Sequence, residues 1–202
     1  METTPRWAHL VAGDMALDFV NTDVVSEHDR SRDVLRTAEE FAAWSAYAQL
    51  PGATPTMTAI HGAHSQDVLD EARSLRTATR SVIEAIINGR APEDQALSTI
   101  QAAYARAIGD ATLVISDGRL SWRWTTNTPK ALVAGLAVAV ITLLRDGPTD
   151  RIKACPACGF VFIDATKNRR RRWCSMDDCG KEEKMRRYVA KRAETSRRTG
   201  VG

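Results

Sequence analysis

Cysteine is the residue of this sequence whose spacing most directly predicts chemistry. All four cysteines follow the pattern C-x2-C-x15-C-x4-C, at Cys155, Cys158, Cys174 and Cys179. Two cysteines separated by two residues can point both thiolates at one cation. Two such pairs supply the tetrahedral sulfur set that Zn²⁺ prefers, with Zn–S distances of about 2.3 Å. All ligand positions would then be sulfur, with none open for catalysis, so the spacing predicts one structural zinc ion.

Two other roles of cysteine fit the spacing less well. A redox motif needs only one Cys-x-x-Cys pair and leaves the second pair without a role. Structural disulfides require an oxidising compartment. The chain begins Met-Glu-Thr-Thr-Pro-Arg, without the charged and then apolar pattern of a secretory signal. We therefore expect a cytoplasmic protein whose cysteines stay reduced.

Positive charge is concentrated around the cysteines. Residues 151–202 contain 15 Lys and Arg against 6 Asp and Glu, a net charge of +9, whereas residues 1–150 carry a net charge of −6. This break in charge predicts two modules with different partners, and the positive module suits a polyanion such as DNA. The side chains that we expect to contact DNA are Arg169, Arg170, Arg171, Arg172, Lys184, Arg186, Arg187, Lys191 and Arg192.

These basic residues come from a loop before Trp173, from which four arginines are expected to project, and from a helix beginning near Glu182. Three side chains fall in one arc of that helix: Lys184, Arg187 and Lys191. Three apolar side chains occupy another arc: Met185, Tyr188 and Val189. We expect the first arc to contact phosphate and the second to pack on the cysteine module. Arginine is the usual reader of guanine, and the candidates for this role are Arg171, Arg186 and Arg187.

The elements that position these residues are mainly helical. A capping box at Thr37–Glu40 begins a helix that buries Phe41, Trp44 and either Tyr47 or Ala48. Apolar residues at helical spacing predict a long helix over 67–87. A third helix begins at Pro92 and ends near Gly109, and its expected inward residues are Leu97, Ile100, Tyr104 and Ile108. A hairpin over 112–124 follows, with a type I′ turn at Asp117-Gly118 and with Leu120, Trp122 and Trp124 on one face.

The almost uniformly apolar stretch Ala131–Leu144 predicts the buried central helix of the first module. It is shorter than the roughly 20 residues that cross a membrane, so no membrane association is expected. Gly147-Pro148 then breaks the chain. We therefore place a helical domain with a hairpin at 1–148 and a small zinc module, with both strand and helix, at 149–202.

Two polar features of the first module could bind a ligand. Asp14 can cap a short helix that reaches Thr22, with Asp18 and Asn21 on one of its faces. This face either meets water or lines a pocket. The long helix carries an arginine stripe that we expect to face solvent: Arg73, Arg76 and Arg80. If the acidic face lies beside the stripe, Arg76 helps to bind an anionic ligand, so the candidate ligand-binding residues are Asp18, Asn21 and Arg76.

These motifs resemble a known bacterial family. The runs 155–164 and 171–180 are similar to the CGNR zinc finger of bacterial regulators, and Leu17–Thr22 resembles the start of the ABATE domain that precedes that finger. The resemblance implies a stress-response transcription regulator with a ligand-sensing domain before a DNA-binding zinc module. Lys181-Glu182 stands where the finger has Asn-Arg, so the role of that pair is not carried over.

Several function classes remain open on the residues alone. A DNA-binding regulator that senses a small molecule is the first, and a homodimer is one expectation because regulators that read palindromes are commonly dimers. Basic charge suits RNA equally, and a zinc module can instead stabilise a protein interface. An enzyme is disfavoured, since the sequence shows no Ser/His/Asp arrangement, Gly-rich phosphate loop or open metal site.

Overall fold

The computed structural model of the chain describes residues 10–23, 33–50, 65–124 and 129–199. The helices in these ranges are α1 (Met15–Val20), α2 (Ala38–Tyr47), α3 (Ser65–Ile87), α4 (Asp94–Gly109), α5 (Pro129–Asp146) and α6 (Lys181–Thr199). The strands are β1 (Thr112–Ser116), β2 (Arg119–Arg123), β3 (Ile152–Ala154) and β4 (Val161–Ile163). The expected fold, mainly α with a hairpin and a small cysteine module, is confirmed.

Helix α5 is the centre of the core. Leu132, Leu136 and Val140 are fully buried, because the helix packs against α4, α1 and α3 on different sides. A helix that is apolar on most of its surface is stable only when it is enclosed in this way. The expected buried central helix is therefore confirmed. None of the helices within the described ranges is long and apolar enough to cross a membrane.

Side-chain caps start the first two helices where the sequence predicts them. The Asp14 carboxylate accepts a hydrogen bond from the Ala16 N–H at 2.8 Å at the start of α1. The Thr37 hydroxyl accepts one from the Glu40 N–H at 3.2 Å at the start of α2. Each cap satisfies an N–H that has no partner within its helix. Residues 51–64, between α2 and α3, lie outside the described residues.

One expectation about inward faces is confirmed and another needs correction. At the end of α2, Ala48, one of the two expected alternatives, is buried with Phe41 and Trp44, whereas Tyr47 is 46% exposed. In α4, Ile100 points inward as expected, but Leu97 is 43% exposed. The buried residues of α4 besides Ile100 are Ala96, Ala103 and Ala107. Small alanine side chains let α4 approach α3 and α5 closely, so the packed face is rotated from the face that carries the largest residues.

Strands β1 and β2 form the expected antiparallel hairpin. Positive φ angles at Asp117 (51°) and Gly118 (73°) match a type I′ turn. Trp124 is half-buried, and its indole N–H donates to the Ala107 carbonyl at 2.7 Å. Leu120 and Trp122, expected on the same face as Trp124, are exposed instead. The hairpin is therefore attached to α4 through Trp124 while the rest of that face points away from the core.

The second hairpin, β3–β4, packs directly on the helices. Ile152 and Val161 belong to the same buried apolar cluster as the residues of α1, α3 and α5. The Ile163 N–H donates to the Ala12 carbonyl at 2.8 Å, which adds a backbone link to the segment before α1. The hydrophobic core is therefore continuous across the expected boundary at 148/149. Independent folding of residues 1–148 stays a prediction.

Candidate metal centre and nucleic-acid interface

The turn between β3 and β4 positions the first cysteine pair. The Cys155 N–H donates to the Phe160 carbonyl at 2.7 Å, and the Gly159 N–H donates to the Cys155 carbonyl at 2.8 Å. These bonds fold the segment into a tight turn, which Gly159 completes with a φ of 76°. A left-handed backbone of this kind favours glycine. Cys155 and Cys158 are thereby held on the same side of the turn.

The second pair is positioned by a short π-helical turn, Met176–Gly180, that leads into α6: Cys174 precedes the turn and Cys179 lies within it. The Ser175 hydroxyl caps this turn by accepting a hydrogen bond from the Asp178 N–H at 3.2 Å. Gly180 is buried where the turn passes closest to its neighbours. A Cβ atom at this position would lie 2.9 Å from the Met176 sulfur and 3.3 Å from Trp173. A larger residue after Cys179 would therefore have to displace the end of the Met176 side chain.

The four sulfur atoms form one compact cluster. All the Sγ atoms lie within 4.8 Å of one another, with 3.5 Å between Cys158 and Cys174 and 3.6 Å between Cys174 and Cys179. These separations exceed a disulfide bond of about 2.05 Å. They approach the roughly 3.8 Å edge of a tetrahedron with metal–sulfur distances of 2.3 Å. The donor set and its geometry thus fit one zinc ion.

Electrostatics shows why the cluster needs a cation. The hydrogen bond with Cys155 raises the pKa of Cys158 to about 12. Hydrogen bonds with Cys155 and Cys158 raise the pKa of Cys174 further still, and burial adds to the effect. The same kind of hydrogen bond lowers the pKa of Cys155, so without a metal one thiolate is held by its protonated neighbours. A cation is needed to stabilise all four thiolates at these distances. Each ligand that loses its proton makes metal binding dependent on pH.

Arg171 binds the backbone around the cysteine cluster. Its guanidinium donates to four backbone carbonyls: those of Val11 at 2.9 Å, Trp173 at 3.1 Å, Ile163 at 3.2 Å, and Cys174. The same group lies 4.4 Å from the centre of the Phe162 ring. The expectation that all four loop arginines project outward is therefore wrong for Arg171. Its candidate role in reading DNA stays a prediction.

Asp164 and Lys153 form a second internal network, which was not anticipated from the sequence. Asp164 is fully buried, and its carboxylate accepts hydrogen bonds from the Lys153 ammonium at 2.6 Å and from the Arg171 N–H at 3.0 Å. Burial alone would raise the pKa of Asp164, but the bonds from Lys153 and Thr166 hold it far below its usual range. The Asp-x-Thr spacing directly after β4 was the available signal, because it is typical of an Asx turn.

The other loop arginines lie on the surface. Arg169 has a φ of 52° and forms an ion pair with Asp150 at 2.6 Å. Arg170 is exposed, and only its backbone N–H is anchored, to the Thr166 hydroxyl at 3.0 Å. Arg172 is exposed beside Trp173, with its guanidinium 5.2 Å from the ring centre. Arg170 and Arg172 are therefore the loop cations most accessible to a phosphate backbone.

Helix α6 places its basic residues in solvent. Glu183, 12% exposed, pairs with both Arg186 and Arg187, and the bond from Arg187 lowers the pKa of Glu183. Lys184, Lys191 and Arg192 are exposed. The expected apolar arc does not pack on the cysteine module, since its members are more than half exposed: Met185, Tyr188 and Val189. That expectation is wrong, because α6 leaves the module after its first turn.

Comparison with known families agrees with this geometry. Residues 13–147 match the ABATE family, described as "Putative stress-induced transcription regulator". The chain belongs to the ABATE family. Residues 151–192 match the CGNR zinc finger, so Cys155, Cys158, Cys174 and Cys179 are the ligands of one structural zinc ion. No curated protein matches the chain. The resemblance drawn from the sequence is thereby confirmed.

Within the ABATE domain, Asn21 contacts the zinc module. Its side-chain amide donates to the Val161 carbonyl at 2.9 Å, and its carbonyl oxygen accepts from the Val161 N–H at 2.8 Å. Asn21 is 8% exposed, so this position does not face water. The carboxamide thus joins α1 to β4. A contact of Asn21 with a ligand stays a prediction.

Asp18 lies beside this junction. Its carboxylate accepts a hydrogen bond from the Ala12 N–H at 3.0 Å. Burial raises the pKa of Asp18 to about 6; the bond from Ala12 lowers it, and the neighbouring Asp14 raises it. A carboxylate held in such surroundings is common at binding sites. Asp18 is therefore the candidate ligand residue with the most perturbed environment.

The arginine stripe of α3 does not face solvent as expected. Arg76 is 4% exposed, and its guanidinium forms a two-pronged ion pair with Asp33, at 2.7 Å for the Nη2–Oδ2 contact. Burial alone would raise the pKa of Asp33, but the bonds from Arg76 lower it below its usual value. Arg80 binds the Val20 carbonyl at 2.7 Å. These arginines thus fasten the N-terminal segments of the ABATE domain to α3.

A surface cleft of about 370 Å³ lies between α3 and α4. Its lining residues are Asp70, Glu71, Ser74, Leu75, Thr99, Ala103 and Arg106. Arg106 closes one side by pairing with Glu71 at 2.7 Å. None of the three candidate ligand residues lines this cleft, so the ABATE domain offers a second, separate place where a polar molecule could bind.

Proposed function

We propose that this ABATE-family regulator binds duplex DNA through its zinc module and senses a small molecule through its helical domain. The observation that carries the DNA part is the separation of the module's charges. Arg171 and Lys153 are bonded inward, whereas Arg170, Arg172 and the basic residues of α6 stay exposed. Exposed cations on a rigid zinc-bound frame can meet phosphates directly, although Arg186 and Arg187 must first leave their ion pairs with Glu183.

The two basic surfaces have complementary roles in this proposal. The loop cations Arg170 and Arg172 position the module on the DNA backbone, and Trp173 restricts the rotation of Arg172. On α6, Lys184 and Lys191 contact phosphate. Arg186 and Arg187, together with Arg192, are the helix arginines that can reach base edges. Glu183 holds two of them in place until DNA competes for them.

A specific observation favours a second candidate function, a protein-interaction module. The apolar arc of α6 is exposed over little more than one turn of the helix, at Met185, Tyr188 and Val189. A basic helix with an exposed apolar arc can dock into an acidic apolar groove. In that case, the zinc ion stabilises a protein interface. RNA is the other polyanion that would satisfy the basic surfaces.

Selection of fragments from genomic DNA by the purified full chain tests the DNA function first. Binding of the selected duplex is then measured by fluorescence anisotropy over a salt series. Each phosphate contact adds about 0.9 to the slope of log K against log salt. Replacing Lys184, Arg187 and Lys191 by alanine should therefore lower the slope by up to about 2.7.

The matched control replaces three exposed basic residues of the ABATE domain by alanine: Arg90, Lys130 and Arg145. The slope should then stay at the wild-type value. An equal loss in both triple variants would contradict contact through α6, because it would reflect total charge alone. Enrichment of RNA after crosslinking, without a selected duplex, would instead favour the RNA function.

The sensing part of the proposal is supported by the surroundings of Asp18. Its ionised form is disfavoured by burial, so a ligand that donates a hydrogen bond or carries a positive charge would stabilise it. Asn21 and Arg76 would join the site if a ligand displaced their internal bonds. A thermal-shift screen against metabolites should find a compound whose stabilisation is lost in Asp18→Ala. If the compound still stabilises Asp18→Ala, its binding site does not include Asp18. The α3–α4 cleft is then the next place to test.

The proposal assigns a binding function with no catalytic step. The zinc ligands are four sulfur atoms, which fill a tetrahedral site and exclude substrate from the metal. The four cysteines form no disulfide bonds, which suits a regulator that works in a reducing cytoplasm. Zinc content by elemental analysis of protein purified without added metal should be one ion per chain.

A further inference from the structure

The β1–β2 hairpin carries an apolar surface that no described part of the chain covers. The side chains that share this face are Leu113 (51% exposed), Ile115 (75%), Leu120 (69%) and Trp122 (38%). The register pairs Leu113 with Trp122 and Ile115 with Leu120. The four side chains therefore form one contiguous block, which we name the hairpin patch.

The hairpin patch is large for a surface that stays in water. Its exposed area is on the order of 400 Å², in the range where apolar patches mark interaction sites. Two-stranded hairpins are also marginally stable alone and gain stability when a layer covers their apolar face. Trp124 anchors the end of the hairpin to α4 through the Ala107 carbonyl. A partner that covers the patch would supply the missing layer.

We propose that the hairpin patch is covered by the hairpin patch of a second copy of this chain. A two-fold contact requires a surface that complements itself. The patch meets this condition because all four of its side chains are apolar. The charged residues of β2, Arg119 and Arg123, alternate to the opposite face of the hairpin. Two patches can thus meet without burying a charge.

The area of the patch also suits a homodimer. Stable interfaces bury about 800 Å² on each partner, with an apolar centre and a polar rim. The patch supplies about half of that area as the centre, and the adjacent turn at Asp117 can contribute to the rim. The hairpin would thereby become one layer of a two-layer β structure.

The other exposed apolar surface, the arc of α6, does not suit a second copy. Met185, Tyr188 and Val189 are surrounded on the same helix by exposed basic residues. Pairing two copies of α6 would bring these like charges together. Charge therefore assigns self-association to the hairpin and leaves α6 free for an acidic partner or nucleic acid.

Sedimentation velocity of the full chain over about 1–100 µM tests the proposal, a range that spans weak and stable homodimers. The wild type should sediment with twice the chain mass of 22.2 kDa. Ile115→Lys should be monomeric, because a charge would be buried at the contact. Leu97→Lys is the matched control, because Leu97 is an exposed apolar residue of α4 that lies outside the patch, and this variant should remain dimeric.

Ile115→Thr separates a lost contact from a misfolded hairpin, since threonine keeps a high strand propensity. It should weaken dimerisation at least tenfold without changing the circular dichroism spectrum or the melting temperature of the monomer. A wild type that stays monomeric over the whole range would overturn the proposal and leave the patch to another protein. A dimer that persists in Ile115→Lys would overturn it equally, because the contact would then lie elsewhere.

Discussion

At the scale of single residues, charge in the zinc module is used to hold the backbone. Arg171 satisfies carbonyls from the segment before α1, from β4 and from the second cysteine pair. Asp164 accepts hydrogen bonds from Lys153 of β3 and from the basic loop. Buried backbone carbonyls need such partners, because leaving one unpaired costs about 1–3 kcal/mol. Arg171 is therefore a positioning residue for the zinc ligands.

Arg171→Ala should destabilise the zinc module by about 2–3 kcal/mol, since several charge-assisted hydrogen bonds are lost at once. Zinc should also be released faster to a chelator, which a chromogenic dye reports directly. Arg172→Ala removes a neighbouring arginine that is exposed, and it should change stability by less than about 0.5 kcal/mol. Equal effects of the two variants would show that Arg171 acts only through its charge.

Asp18 is destabilising at neutral pH because burial opposes its ionisation. Its pKa is raised to about 6 from an ordinary value of 3.8. In the pH range between these two values, the unfolded chain has released the proton that the folded chain still holds. The free energy of unfolding therefore falls as pH rises from about 4 to about 6, and it stays at the lower level above pH 6.

Asp18→Asn should raise the free energy of unfolding at pH 7.5 by at most about 3 kcal/mol, the equivalent of the pKa shift. The asparagine carbonyl can still accept the hydrogen bond from Ala12, so the gain comes from the missing charge. The difference from wild type should vanish at pH 4, where the wild-type carboxyl is neutral. Urea denaturation at several pH values checks this, and a difference independent of pH would exclude ionisation as its cause.

At the scale of elements, the sequence was informative about where helices lie and less so about what covers them. Caps at Asp14 and Thr37 and the apolar spacing of α3 and α5 predicted these helices because the signals are local. The packed face of α4 depends on alanines, whose small size gives little periodic signal. The arginines of α3 were expected to face solvent because their partners, such as Asp33, lie more than 40 residues away along the chain.

In the candidate site, too, local signals were predictable and long-range contacts were not. The zinc ligands were predictable because two closely spaced cysteine pairs supply the four sulfur ligands of one metal ion. The internal roles of Arg171 and Asn21 were not predictable, since each depends on a segment roughly 140–160 positions away along the chain. Asp164 was the missed residue, although its Asp-x-Thr spacing predicted a local turn. Long-range pairing of polar groups is thus the information that the sequence pattern lacked.

Helix α6 starts with two glutamates before its basic stretch. Glu182 is exposed, and Glu183 already pairs with Arg186 and Arg187. Glu182→Arg should tighten DNA binding at low salt, because a carboxylate that repels phosphate becomes a cation. The loss of a favourable interaction with the helix dipole should destabilise the module by about 0.3–1 kcal/mol. Anisotropy at two salt concentrations measures the first effect, and equal affinities at both would place Glu182 away from the DNA.

At the scale of the whole molecule, the zinc module and the ABATE domain share one core. Ile152 and Val161 are buried among residues of α1, α3 and α5, and the Asn21 carboxamide pairs with Val161 on both sides. Zinc binding supplies the folding free energy of the module. The stability of the helical domain should therefore depend on the metal, although no zinc ligand belongs to it.

Removal of zinc by a chelator should lower the melting temperature of the helices by about 6–12 °C. The reason is that Ile152 and Val161 would lose their ordered positions, which together represent at least about 3 kcal/mol of apolar burial. Circular dichroism at 222 nm follows the helices during heating. Cys158→Ser should reproduce the effect without chelator, whereas an unchanged melting temperature would show that the two parts unfold independently.

The segment around α1 occupies backbone groups at the outer edge of strand β4. An exposed strand edge can recruit the edge of another chain and start aggregation. Here the Val161 N–H and carbonyl are occupied by Asn21, and the Ile163 N–H is occupied by Ala12. A chain shortened past Ala12 would present part of this edge to solvent while keeping its zinc ligands. Such a protein should scatter light on standing, because the segment that contains Ala12 would no longer block aggregation through this edge.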